Sequence, residues 1–204
     1  MTRHVSFNSS LTNNPMRTKT PTINVSPRFS LRLAPILVVA AVFILSIAGQ
    51  VTYAAPGDLY ESDYNSGNIY EFTPGGTRTT FASGLDLPAG LAFNSGGNLF
   101  EADAASGNIY EFTPGGTRTT FASGLNDPQG LAFDSAGNLF EADFVSNNIY
   151  EFTPGGTRST FASGLNGPVG LAFNSAGNLF AADFGSNNLY EFTPGGTGAP
   201  SPLD

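Results

Sequence analysis

From residue 57 onward, short apolar groups alternate with turn residues in a pattern that repeats every 40 residues. GDLYESD begins at 57, GNLFEAD at 97 and 137, and GNLFAAD at 177. IYEFTPGGTR recurs at 69, 109 and 149, and LYEFTPGGTG closes the series at 189. FASGL stands at 81, 121 and 161, and GLAF at 90, 130 and 170. Runs of Phe, Leu, Ile, Tyr and Thr are separated by Asp-Ser-Ala-Gly-Asn, Val-Ser-Asn and Pro-Gly-Gly. Such punctuation marks short strands joined by turns. No segment sustains a helical period. One complete unit predicts strands a to d over 130–133, 138–142, 148–152 and 158–162. A leucine-rich solenoid carries one strand per roughly 20–29 residues, whereas four strands in 40 residues make a propeller blade. The predicted fold is all-β, a β-propeller of 40-residue four-stranded blades. Counted from residue 57, the strands run bcd, abcd, abcd, abc. That is about three and a half blades, with strand a missing from the first and strand d from the last.

The turns add detail. Pro154-Gly155 suits the centre of a two-residue type II turn, since Pro fixes φ and Gly accepts a positive one. A turn of that length places Glu151 opposite Arg158, Glu111 opposite Arg118 and Glu71 opposite Arg78, pairs that each contribute about 0.2–1 kcal/mol. The last unit has Glu191 but Gly198. An Asp closes every strand b: Asp63, Asp103, Asp143 and Asp183. Two residues earlier stand Glu61, Glu101, Glu141 and then Ala181. The Glu positions read as repeated solvent-facing strand residues, with paired carboxylates for acid–base work as the rival reading.

The chain before the repeats is different in kind. Residues 1–32 are polar, basic and free of acid, and Leu33 to Ala48 is an uncharged apolar run. Thr52-Tyr53-Ala54 follows, with small residues, Thr52 and Ala54, at the positions a signal peptidase reads, and this order is that of a signal peptide cleaved after Ala54. An uncleaved anchor over 33–56 is the rival, because about 20 apolar residues span a bilayer. The domain reading is 1–54 as signal peptide or anchor with a disordered basic leader, 55–198 as propeller repeats, and 199–204 as a tail. The protein is expected to be exported, either secreted, periplasmic or held at the cell surface.

Charge narrows the chemistry. Beyond residue 54 three Arg face sixteen acidic residues, a net of −13. So acidic a domain repels nucleic acid and anionic lipid. There is no Cys, and the single His and single Lys, His4 and Lys19, precede the repeats. A Ser-His-Asp triad, a Cys nucleophile, a Schiff-base Lys and a His-ligated metal are therefore excluded from the repeats. Carboxylate or metal–carboxylate chemistry remains.

Pro168-x-Gly-Leu-Ala-Phe, Gly-Asn-Leu-Phe-x-Ala-Asp183 and Asn188-Leu-Tyr-x-Phe together resemble the NHL repeat. That pattern marks a propeller superfamily shared with gluconolactonase-like lactonases and streptogramin lyases. The resemblance covers 57–196 and implies a propeller with its ligand site on one face. The streptogramin-lyase type of site depends on His and does not carry over. Gluconolactonase-like relatives hold a metal through Glu, Asn and Asp at non-equivalent positions. Here the Asp recurs in every unit, which points to a fold role, as an acceptor for turn N–H groups. Asp63, Asp103, Asp143 and Asp183 remain the candidates for Ca²⁺ or another divalent cation, oxygen ligands being suited to it. Otherwise no cofactor is expected.

Comparing the units with one another locates a candidate face. The a–b and c–d turns hardly vary, whereas the b–c and d–a connections do. In an antiparallel meander both variable connections leave at the same edge, and loops on one face of a repeat array often bind ligands. The candidate ligand-binding residues are Tyr64, Asn65, Asp86, Asn126, Asp127, Gln129, Phe144, Asn147, Asn166, Phe184 and Asn187. Drift of an unconstrained face explains the same variation. Three functions stay open: a non-enzymatic binding module for a protein, peptide or carbohydrate; a metal-dependent lactonase or hydrolase; and a truncated repeat fragment without autonomous function. Incomplete blades also point to a homodimer that completes a propeller ring.

Overall fold

A computed structural model describes residues 51–54, 57–195 and 201–202. The apolar run over 33–48 and the basic leader lie outside the described residues. Among the described residues no helix is long and apolar enough to cross a membrane.

Among the described residues sixteen strands form four sheets, each an antiparallel meander in chain order. The first holds β1 (Val51–Ala54), β2 (Asp58–Asp63), β3 (Asn68–Phe72) and β4 (Arg78–Ala82). The second holds β5 (Pro88–Phe93), β6 (Leu99–Asp103), β7 (Asn108–Phe112) and β8 (Arg118–Ala122). The third holds β9 (Pro128–Phe133), β10 (Leu139–Asp143), β11 (Asn148–Phe152) and β12 (Arg158–Ser163). The fourth holds β13 (Pro168–Phe173), β14 (Leu179–Asp183), β15 (Asn188–Phe192) and β16 (Ser201–Pro202). The repeats thus build propeller blades, and the predicted strands lie within a residue or two of those found.

The two end blades are more complete than the repeat motif implied. β1 pairs with β2, Val51 opposite Glu61 and Ala54 opposite Asp58. Residues that carry none of the GLAF motif therefore supply the missing strand a, because a ladder is made of backbone and tolerates this change of side chains. Ser201 and Pro202 supply a short strand d to the fourth blade. Cleavage after Ala54 would remove β1 and leave β2 as the inner edge of its sheet.

The c–d hairpins correct the predicted Glu–Arg pairs. Phe152 lies opposite Arg158 and Glu151 opposite Ser159; Glu71 and Glu111 face Thr79 and Thr119 in the same way. The connection is five residues long: Thr153 donates to the Thr157 carbonyl, and Gly156 donates to the Thr153 carbonyl. In the first three hairpins the left-handed residue is the second glycine, Gly76, Gly116 and Gly156. A turn followed by a left-handed residue adds one position and shifts the register. The Arg side chains stack instead over Tyr70, Tyr110 and Tyr150, 4.3–5.0 Å from the ring centroids. Arg118 and Arg158 also donate to the carbonyls of Gly84 and Gly124 in the preceding blade, at 3.3 Å.

The core is a series of seams between blades. β5 packs against β9 and β9 against β13, with β1 against β5, so strand a is innermost. At the second seam Phe100, Ala102 and Ile109 of the second blade bury against Leu131, Leu139 and Phe152 of the third. The next seam repeats this with Phe140, Ala142 and Ile149 against Leu171, Leu179 and Phe192. Phe140 stands edge-on between Phe161 of its own blade and Phe173 of the next, at centroid distances of 4.9 and 5.0 Å. Such packing contributes beyond burial alone.

Close approach at the inner strands depends on glycine. A Cβ on Gly130 would collide with the carbonyl oxygen of Val169 in the next blade. Gly130→Ala is expected to destabilise the protein by about 1–3 kcal/mol, since backbone on the far side must move. A chemical denaturation midpoint unchanged by this substitution would refute the account.

Candidate functional site

The variable b–c and d–a connections do share one face, and the backbone stitches them together. Ala104 and Ala105 donate to the carbonyls of Leu87 and Asp86; Phe144 and Val145 to those of Asp127 and Asn126; Phe184 and Gly185 to those of Gly167 and Asn166. In the second, third and fourth blades the b–c loop is therefore zipped to the d–a loop that leads into its own blade.

The Asp at the end of strand b is the clip for this arrangement. Asp143 Oδ2 accepts from the Asn126 N–H at 2.7 Å and its Oδ1 from the Ser146 N–H at 3.0 Å. Asp103 repeats this with Asp86 and Ser106, and Asp183 with Asn166 and Ser186. All three are buried. Asp63 accepts from Asn65 and Ser66, and the Ser66 N–H and hydroxyl hold its carboxyl below the usual range. Both oxygens of Asp103, Asp143 and Asp183 are thus engaged by backbone donors that would otherwise stay unsatisfied at a buried turn. Among the described residues no three His, Cys, Asp or Glu side chains cluster as a metal-holding group.

On this frame lies a hollow of about 300 Å³, lined by Tyr64, Leu87, Ala104 to Gly107, Leu125, Asn126 and Asp127. It exists because Ala104-Ala105 stands where the other blades carry Tyr64-Asn65, Phe144-Val145 and Phe184-Gly185. Small side chains leave room beside the Tyr64 ring. Leu87 and Asp127 have φ of 60° and 64° at the position where the next blade has Gly167. Such values are strained for Leu, and strain of this kind concentrates at functional loops.

Next to the hollow the face becomes apolar. Phe144 and Phe184 lie with ring centroids 6.3 Å apart. Phe184 is 58 % exposed and Val145 51 %, the two large apolar side chains left out in solvent among the described residues.

The sequence-predicted residues divide accordingly. Tyr64, Asn126 and Asp127 come together in the hollow, and Phe144 pairs with Phe184. Gln129 donates to Asp127 at 2.6 Å and holds its carboxylate in place. Asn147 and Asn187 serve as left-handed turn residues, with φ of 60° and 57°, and the Asn147 amide oxygen accepts the Gly167 N–H. Asn65 and Asp86 clip turns through their N–H groups. Asn166 does so too, with its amide against Gly185. Leu87, Ala104, Ala105, Leu125 and Val145 complete the face and were missed. The signal for the hollow was the one blade with two small residues after its Asp.

Glu101 and Glu141 are not solvent-facing. Both are fully buried between blades, and none of their carboxylate oxygens has a hydrogen-bond partner among the described residues. Burial, then the charge of Asp103 or Asp143, pushes both carboxyls well above the usual range, opposed only by Arg118 or Arg158. Strand period 2 explains this: Glu101 and Leu99 share a blade face, and Leu99 is in the seam. Sealed in this way, the pair cannot reach a substrate at the loops.

Blades, seams and loop face define a β-propeller. Its fold is that of virginiamycin B lyase from Staphylococcus aureus, solved as an inactive variant with quinupristin (TM-score 0.66, 16 % identity, 77 % of this chain and 55 % of that one). A streptogramin B lyase matches with TM-score 0.67 and 19 % identity over 77 % of this chain and 54 % of that one. A putative gluconolactonase matches with TM-score 0.69 and 19 % identity over 76 % and 62 %. These neighbours share the propeller fold that the repeat motifs predict. The chain spans only 54–62 % of their lengths. By sequence, no family model and no curated protein matches it.

Proposed function

We propose that the chain is a non-enzymatic binding module of an exported protein, and that its loop face takes a carbohydrate. The observation that carries this reading is the hollow beside Tyr64. Its volume is at the small end of ligand sites. Tyr64, Asn126 and Asp127 are among its lining residues, and they carry an aromatic ring, an amide and a carboxylate, the groups that would meet a sugar's apolar face and hydroxyls. A sugar ring offers this combination of an apolar face and a hydroxyl rim. Phe144 and Phe184 extend the platform for a further ring. No Lys or His is present in the repeats, and the three Arg of the described residues are stacked on Tyr rings. An anionic ligand therefore has no partner there.

The test is glycan binding by titration calorimetry against a panel of neutral oligosaccharides. Tyr64→Ala should weaken binding at least tenfold, about 1.4 kcal/mol, with the melting temperature unchanged. Phe184→Ala should weaken longer oligosaccharides more than short ones. If no glycan binds while a basic peptide does, the carbohydrate reading fails. If Tyr64→Ala leaves affinity intact, the site is misplaced.

A further inference from the structure

The four blades form an open arc. Successive blades contact one another through their inner strands, but no contact of that extent joins the fourth blade back to the first among the described residues. Burial records the two open ends. Phe100, Ala102 and Ile109 are buried, as are Phe140, Ala142 and Ile149, whereas their counterparts Phe180, Ala182 and Leu189 are only partly covered. At the other end Leu99, Leu139 and Leu179 are buried, but Leu59 is not; Phe112, Phe152 and Phe192 are buried, but Phe72 is not.

These ends are the two halves of one seam. Within the chain, the Phe-Ala-Ile face of each blade packs on the Leu-Phe face of the next. The fourth blade offers the first half, on which no blade packs among the described residues, and the first blade offers the second half.

Glycine supplies an independent sign. Gly90 and Gly130 lie so close to the next blade that a Cβ would strike the carbonyls of Gln129 and Val169. Gly170 occupies the same position in the fourth blade, where a Cβ would meet only Ala182 of its own blade, at an ordinary 3.6 Å. The fourth blade is thus shaped for a close neighbour it lacks in the arc.

We infer that a second copy of this chain fills that place, its first blade docking head to tail on the fourth blade through a copy of the internal seam. β1 of the incoming chain would lie along Gly170 as β13 lies along Gly130. Each copy carries one face of each kind, so the contact is heterologous and either closes into a ring or runs on. Two arcs bring eight blades, within the roughly four to eight that propellers hold. This inference stands apart from the proposed ligand, which occupies the loop face.

The test is the solution mass of the full chain by light scattering over a dilution series. The wild type should exceed one chain and dissociate on dilution. Gly170→Val has room within its own blade, so it should keep the melting curve of a folded arc and lose association. Leu59→Glu should lose it from the opposite face. Mixing the two variants should restore a discrete heterodimer, because the intact fourth-blade face of one meets the intact first-blade face of the other. A monomeric wild type, association that survives both substitutions, or a mixture that stays monomeric would each overturn the inference.

Discussion

Asp143→Ala is expected to cost about 3–5 kcal/mol of folding stability, the value of two charge-assisted hydrogen bonds to buried donors. The carboxylate accepts the N–H groups of Asn126 and Ser146, one in the d–a loop and one in its own b–c loop. It is 1 % exposed, so no water replaces the lost acceptor. Asp143→Asn keeps one acceptor oxygen and turns the other into a donor facing an N–H, so it should fall between wild type and alanine. Denaturant midpoints of the three proteins measure the order. The same series separates a backbone clip from a metal ligand. A clip leaves the wild-type midpoint unmoved by chelator. A metal site would make chelator reproduce the alanine loss, and the clip account would then be wrong.

The second large effect has the opposite sign. Glu101→Gln combined with Glu141→Gln should stabilise the protein above neutral pH, by roughly 1–3 kcal/mol per site. Each wild-type carboxyl is fully buried in a seam, with neither oxygen hydrogen-bonded among the described residues. Burial raises both well above the usual carboxylate range in the folded state. As pH climbs past that range, the unfolded chain releases these protons and the folded chain keeps them. The unfolded state then binds fewer protons, so stability falls with rising pH, by up to about 1.4 kcal/mol per pH unit for each group. Their contribution is full below the usual carboxylate range and is lost as pH rises towards the raised values. Asp63, held low, acts in the contrary sense, so the difference between wild type and double variant isolates the two Glu. Midpoints at pH 5 and pH 8 should diverge in the wild type more than in the variant. An equal pH dependence in the two proteins would mean that the seams admit a partner for the carboxylates. The fourth blade already carries the neutral solution at this position, Ala181, which is fully buried.

Much of this molecule was legible in its chain. Strand positions followed from turn residues at a fixed period, because a short β-prone run and a Gly-rich break need no distant partner to be recognised. That the b–c and d–a loops share a face followed from meander geometry alone. Asp at the end of strand b was legible as a turn acceptor, but not its second bond, which reaches 17 residues back to the preceding loop.

Other features depend on what a segment packs against. Glu101 and Glu61 occupy the same position in the repeat, yet of the two only Glu101 is buried, because the first blade packs against the second sheet, whereas among the described residues no blade packs against that face of the first. The c–d register turned on which of two adjacent glycines takes the left-handed conformation, a choice of one residue that moved every Arg from Glu to Tyr. β1 carries no repeat motif and is a strand because β2 offers it an unpaired edge. The hollow at Tyr64 comes from two alanines in the next blade. Local propensity and period thus determined the blades, while burial, register and the shape of the binding face were decided by contacts between blades, where repeats of similar sequence meet different neighbours.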